Sequence, residues 1–177
     1  MKNIFLSLLF TSFSLVSFGQ TAIPEFKNKV MVLTKNNTLE SLESTTLEYS
    51  VKGKFGGAKG YLQADDEASK VVYDPKAGSS FIVKLESGVD PESVITLYIF
   101  DVAKGMRRIK TGEIGMTGSK KIEIPIIRLD FKKVQDAVYI INTGILPPGE
   151  YIYMVNKPVN TTATSDYKGF AFSVAEK

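Results

Sequence analysis

The stretch Leu146-Pro147-Pro148-Gly149-Glu150-Tyr151-Ile152-Tyr153-Met154-Val155 decides the fold. It reads as a rigid corner running straight into a strand. Pro148-Gly149 suits the centre of a type II turn, because proline presets φ at about −65° and glycine accepts a positive φ after it. From Tyr151 to Val155 the residues are aromatic or β-branched, apart from Met154, and alternate between two faces.

Strong strand signals flank this corner. Ala137–Ile141 precedes it and Phe170–Val174 follows it. Strand, corner, strand, loop, strand is the closing pattern of a β-sandwich. The rest of the chain agrees. Lys29–Thr34 and Thr38–Leu42 read as a hairpin turning at Asn36-Asn37, since asparagine tolerates the left-handed region. Thr46–Lys52 alternates apolar and polar residues with period two. Phe81–Leu85 is a further strand. Val94–Val102 is the most hydrophobic one and is expected near the centre of a sheet. Gly60–Ala64, Ser69–Tyr73, Met106–Lys110 and Lys121–Ile124 are strand-like, and Pro125 demotes the last to a sheet edge or strand end. Gly112, Gly115 and Gly118 are expected to punctuate a loop, and Phe131–Asp136 to form one turn of helix. The expectation is an all-β, immunoglobulin-like sandwich of about 8–10 antiparallel strands.

Residues 1–19 have the order of a signal peptide: Lys2, an apolar run from Ile4 to Val16, then Ser17-Phe18-Gly19 before Gln20. The run is too short and too rich in hydroxyls for a membrane-spanning helix. Cleavage there leaves residues 20–28 as a flexible leader and residues 29–177 as a single β-sandwich domain, exported to the periplasm or the outer surface. Loss of Lys2 lowers the net charge from +3 to +2, too small an excess for a dedicated nucleic-acid binder. The chain has no cysteine, which excludes disulfides, thiol chemistry and a lipoprotein anchor. It has no histidine, which excludes Ser-His-Asp catalysis and every histidine-based metal site.

The remaining chemistry is thin. Gly53–Gly60, GKFGGAKG, is glycine-rich, but Ala58 precedes Lys59 and Gly60 follows it. It therefore lacks the Gly-Lys-Ser/Thr of a phosphate-binding loop and reads as a flexible hairpin loop. Asp65-Asp66-Glu67 lacks the spaced acidic pattern of a calcium loop and reads as a solvated turn. Glu48, Glu123 and Glu150 lie on or beside strands, with nothing in the sequence to pair two of them as a glycosidase requires. Catalytic residues, cofactor and metal are therefore expected to be absent. A basic set around one turn, Lys104, Arg107, Arg108 and Lys110, suits an anionic glycan or lipid headgroup, although alternation sets Arg107 and Arg108 on opposite faces. Tyr61, Tyr73, Tyr151, Tyr153 and Tyr167 could offer a sugar platform or fill the core. Arg107, Arg108, Tyr151 and Tyr153 are the candidate ligand-binding residues.

The Leu146-Pro148-Gly149-Tyr151 order resembles the tyrosine corner of immunoglobulin-like and fibronectin-like domains, with a Leu-to-Tyr spacing one shorter than the fibronectin pattern. The Phe18-Gly19-Gln20 junction resembles those of proteins exported by Bacteroidetes. The Asn36-Asn37 hairpin, Phe81-Ile82-Val83, Asp90-Pro91, Arg107-Arg108, Pro148-Gly149-Glu150-Tyr151 and the late Phe170-x-Phe172-x-Val174 together look like small exported proteins of that group. Those proteins have no assigned function, and the resemblance carries over no catalytic residue; the expectation from the chain as a whole is a non-catalytic cell-envelope binding or scaffold module, its partner unidentified, with an envelope protein or a glycan as the candidates. Leu97–Asp101 through Val155 also resembles, more loosely, the C-terminal sorting domains of type IX secretion. This implies a secretion-sorting or assembly role, although Val174-Ala175-Glu176-Lys177 departs from their basic ending. A glycan-active enzyme stands behind both.

Overall fold

A computed structural model of the chain describes residues 21–120, 122–156 and 167–175. The expected signal peptide lies outside the described residues. The elements in order are β1 (Val30–Leu33), β2 (Leu39–Ser41), β3 (Glu43–Lys54), β4 (Gly57–Asp65), β5 (Ser80–Lys84), α1 (Pro91–Val94), β6 (Ile95–Ile99), β7 (Asp101–Ala103), β8 (Met106–Gly115), β9 (Gly118–Lys120), β10 (Ile126–Ile127), β11 (Asp130–Gln135), β12 (Val138–Asn142), β13 (Gly149–Val155) and β14 (Tyr167–Val174). The fold is an all-β sandwich of two antiparallel sheets, as the alternation and turn spacing predict. There are more strands than the expected 8–10, because short edge pieces such as β7, β9 and β10 carry no pattern of their own.

One sheet has the order β11-β12-β5-β1-β2, and the other β10-β6-β13-β14-β3-β4-β8-β7, with β9 beside β8. The larger sheet bends along β3. That strand pairs with β14 through Leu47 and with β4 from Glu48 onward. Its far half curls back over the outer face of its near half. Two apolar layers result. Between the sheets lie Val30, Val32, Phe81, Val83, Leu97, Tyr151, Tyr153 and Phe172. Behind the larger sheet lie Leu47, Leu62, Tyr98, Phe100, Ile109, Ile152 and Met154. β13 therefore has no wet face: Tyr151 and Tyr153 point into one layer, Ile152 and Met154 into the other, and all four are buried.

The inter-sheet layer is built on aromatic rings. Phe81 of β5 meets Tyr73 at 4.4 Å, Phe172 at 4.9 Å and Tyr153 at 5.1 Å between centroids, and Tyr151 stacks on Phe172 at 5.3 Å. Such offset and edge contacts each add about 0.5–1.5 kcal/mol beyond area burial. The outer face of the smaller sheet buries Leu33, Ile82 and Val138, with Ala22 and Ile23 packed against them. The expected leader thus lies along the sheet, held by the Ala22 amide donating to Asn37 Oδ1 at 2.8 Å.

Several local expectations are corrected. The run Val94–Val102 is not one strand: β6 ends at Ile99, and β7 begins at Asp101 in the curled part of the sheet. Gly112 and Gly115 lie within β8 rather than in a loop. Lys121 lies outside the described residues, and Ile122–Ile124 form no ladder. The segment 69–73 makes one parallel bridge, Val72 to Ser173, rather than a strand. The expected helical turn at Phe131–Asp136 is instead extended in β11 through Gln135, with Asp136 in the turn that follows. A bulge between Lys133 and Gln135 breaks the two-residue period, so Phe131 and Val134 mimic helical spacing while packing into different layers. Gly149 has φ of +158°, nearly extended, so Pro148-Gly149 is not a type II turn. A Cβ at Gly149 would make only ordinary 3.6 Å contacts, so any strain from a substitution there comes from the backbone angle and not from crowding.

What holds the corner is Tyr151, whose hydroxyl donates to the Pro147 carbonyl at 2.7 Å. Tyr153, two residues on, is wholly buried, and its hydroxyl has no partner among the described residues. Burial pushes its phenol well above the usual range. The two tyrosines should therefore respond oppositely to loss of the hydroxyl. Tyr151→Phe is expected to lower stability by about 1 kcal/mol. Tyr153→Phe is expected to leave stability unchanged or raise it by about 1 kcal/mol, because it removes an unpaired polar group from the core. Urea unfolding followed by circular dichroism reads both, and equal losses would refute the distinction.

Candidate functional site

Alternation along β8 sends Arg107 and Ile109 inward and Arg108 and Lys110 outward. Arg107 is wholly buried. Its Nη2 lies 3.1 Å from Glu43 Oε1 and its Nη1 lies 3.8 Å from Glu150 Oε2. Its guanidinium sits 5.6 Å from the Phe100 ring centre. The two carboxylates also hold the crossing segment after β4. Ser69 donates its amide to Glu150 Oε2 at 2.8 Å and its hydroxyl to Glu43 Oε2 at 2.5 Å, and the Lys70 amide donates to the same Glu43 oxygen at 2.7 Å. The cluster therefore joins β3, β8, β13 and residues 69–70.

The two carboxylates are pushed apart electrostatically. Burial raises the Glu43 carboxyl, but hydrogen bonds from Ser69, Lys70 and Arg107, with the Arg107 charge, outweigh it and hold the group below its ordinary value. Burial dominates at Glu150 and pushes it up, helped by the neighbouring Glu43 charge, despite the Ser69 amide and Arg107. On acidification Glu150 therefore takes a proton before Glu43 does. Neither lines the basic groove beside Arg108. The cluster locks strands together.

Of the four sequence-predicted ligand residues, Arg107, Tyr151 and Tyr153 lie in the interior and only Arg108 reaches the surface. Hydrophobic alternation could place Arg107 opposite Arg108. It could not show that Arg107's face is covered, because the cover is the larger sheet folding on itself.

Arg108 opens onto a groove on the outer face of β3, β4, β8 and β9. The groove is about 400 Å³ and is lined by Lys52, Lys59, Lys104, Arg108, Lys120 and Tyr61, and also by Phe55 and Ile114, with Glu113 as its only carboxylate among the described residues. Register explains the convergence. Lys52 stands opposite Lys59, Lys59 opposite Glu113, and Glu113 opposite Lys120. Glu113 is shared among Lys110, Lys120 at 3.3 Å and Lys59 at 4.0 Å. Hydrogen bonds from Lys110 and Lys120 hold its carboxyl below the ordinary value. Tyr61 forms an aromatic wall, with Arg108 at 5.1 Å and Lys52 at 5.9 Å from its ring centre. Arg108 is also held by Asp101 at 2.7 Å. Among the described residues, no carboxylate lies within ion-pair distance of Lys52 or Lys104. The arrangement can bind a compact anion against an aromatic face.

The glycine-rich segment is corrected here. Gly53–Gly60 is not a flexible loop but two strands joined by a two-residue turn at Phe55-Gly56. Gly57 passes so close to β8 that a Cβ would lie 2.3 Å from the Ile114 carbonyl oxygen. The groove residues Lys52, Lys120 and Glu113 were not legible as candidates, because the two-residue turn that puts Lys52 across from Lys59 was concealed by the glycines. Asp65, Asp66 and Glu67 form no metal-ligand cluster among the described residues. No helix among them is long and apolar enough to cross a membrane.

In comparisons with known proteins, no family model, no curated protein and no solved structure matches this chain.

The buried cluster has a definite pH signature. Glu43, with its carboxyl depressed in the fold, contributes stability that is complete above the ordinary carboxylate range and is lost as pH falls through its lowered value. Glu150, with its carboxyl raised, works the other way, and its ionised form costs stability above its raised value. Glu43→Gln is expected to destabilise at neutral pH, with the difference shrinking in acid. Glu150→Gln is expected to be neutral or stabilising at neutral pH. Arg107→Met should cost about 3–5 kcal/mol, since both partly buried carboxylates lose their cation. Urea unfolding across pH 3–8, on the order of the carboxylate range, checks all three. Parallel curves for the two glutamine variants would refute the assignment.

Proposed function

We propose that this protein is an exported, non-catalytic binding module of the cell envelope, acting in the periplasm or at the outer surface, whose basic groove takes an anionic group carried by an envelope component. One observation carries the reading: five cationic side chains line one groove beside Tyr61, and its single lining carboxylate among the described residues, Glu113, is already shared by three lysines. A groove of that balance attracts phosphate, sulfate or carboxylate and gives an aromatic face for the group that bears it. Export and an immunoglobulin-like kinship are supported by the Lys2-to-Gln20 pattern and by the hydrogen-bonded tyrosine corner.

The test is calorimetric titration of the protein with a sulfated disaccharide and with its unsulfated parent. The sulfated sugar is expected to bind and the parent not. Affinity should fall as salt shortens the electrostatic range, from about 14 Å at 50 mM to about 7 Å at 200 mM. Lys52→Gln with Lys59→Gln should weaken binding about tenfold, corresponding to about 1.4 kcal/mol, without changing the melting temperature. Equal binding of the two sugars, or none of either, would overturn the reading.

A further inference from the structure

Two hairpin turns lie side by side at the open end of the groove. β3 turns into β4 at Phe55-Gly56, and β8 turns into β9 at Met116-Thr117. The register Gly57 to Gly115 brings them level, and a Cβ built on Gly56 would lie 3.5 Å from Met116 Cγ. Phe55 is fully exposed and Met116 is 85% exposed. Val51 and Ile114, on the same strands just behind them, are each more than half exposed. Four large apolar side chains thus project together where the sheet runs past the sandwich core. Isolated exposed apolar residues need no explanation, but a cluster at a protruding tip does.

The charges around this tip select its partner. No Asp or Glu occurs between Tyr49 and Ala64 or between Ile114 and Lys120. Lys52, Lys59 and Lys120 stand on the groove face immediately behind the tip. An apolar point backed by three lysines, against the single nearby carboxylate of Glu113, matches the layered chemistry of an anionic bilayer. There phosphate oxygens lie outside the acyl boundary by about one long side chain.

We propose that this end of the protein docks on an anionic lipid bilayer, with Phe55 and Met116 entering the acyl boundary and the groove lysines meeting the headgroup phosphates. This inference rests on the reading of the groove as an anion site and names the bearer of the anion. The protein lies on the membrane, which it touches with two turns.

The chain contains no tryptophan, so Phe55→Trp introduces a single reporter at the tip. Its emission is expected to move to the blue on adding vesicles of phosphatidylcholine with phosphatidylglycerol, and to stay put with phosphatidylcholine alone. Lipids brominated on the acyl chain should quench it. In cosedimentation with the mixed vesicles, Phe55→Ser with Met116→Ser should reduce binding of the otherwise native chain about tenfold. The urea-unfolding midpoint of that variant should be unchanged, which shows that it remains folded. Sugar binding without vesicle binding would overturn bilayer docking and leave the groove reading standing. Loss of both would overturn both. Vesicle binding undiminished in the double serine variant would overturn insertion of the tip.

Discussion

β13 is shut off from water on both faces, and the rest of the structure follows from that requirement. A strand whose Tyr151 and Tyr153 face one side and whose Ile152 and Met154 face the other cannot be satisfied by two flat sheets. One sheet covers the first face. The second face needs another layer, and the chain provides it by bending the larger sheet along β3 until β4 and β8 lie over it. Burying side chains of this size contributes about 1.5–3 kcal/mol each, so the double cover is where the fold gains most of its cohesion without disulfides.

The bend has an electrostatic consequence. Folding the sheet over brings Arg107 of β8 down onto Phe100 and between Glu43 and Glu150. An arginine in such a layer is tolerable only when its charge is matched and its partners are themselves hydrogen-bonded. Ser69 and Lys70 meet that condition by donating to both carboxylates. The crossing segment is thereby pinned where it leaves the curled layer for the smaller sheet. The same alternation sends Arg108 outward, so one dipeptide contributes to the interior lock and to the surface groove. The overhang that covers β13 also continues past the core, which leaves its two terminal turns projecting with apolar tips.

Much of the fold was legible. The fold class followed from period-two segments and turn signals, and the corner at Leu146–Tyr151 was recognisable from its residues, although its turn type was misread and Tyr151, a candidate ligand residue, is instead held inside by its bond to Pro147. The misreadings share one cause. The bulge at Lys133–Gln135 makes β11 look helical, the break after Ile99 divides what reads as one apolar strand, and the glycines of β4 look like a loop. In each case the way strands pair and break in the sheet, rather than the residue pattern, set the conformation. The candidate site was less legible. Arg108, Lys104 and Tyr61 stood out individually, but Lys52, Glu113 and Lys120 join them only through the β3-β4-β8-β9 register.

The sequence by itself determined that the chain is β-rich, that it lacks the thiol and imidazole groups on which much metal and nucleophilic chemistry depends, and which residues form its corner. These are properties of residue type and short-range spacing, and backbone sterics and side-chain chemistry act over those same distances. Tertiary structure decided which arginine is buried, which tyrosines are core and which lysines share a groove. Those outcomes depend on what covers each face of a strand. The cover here comes from a sheet folding back on itself, and no periodicity within a single strand records whether its second face meets water or another layer.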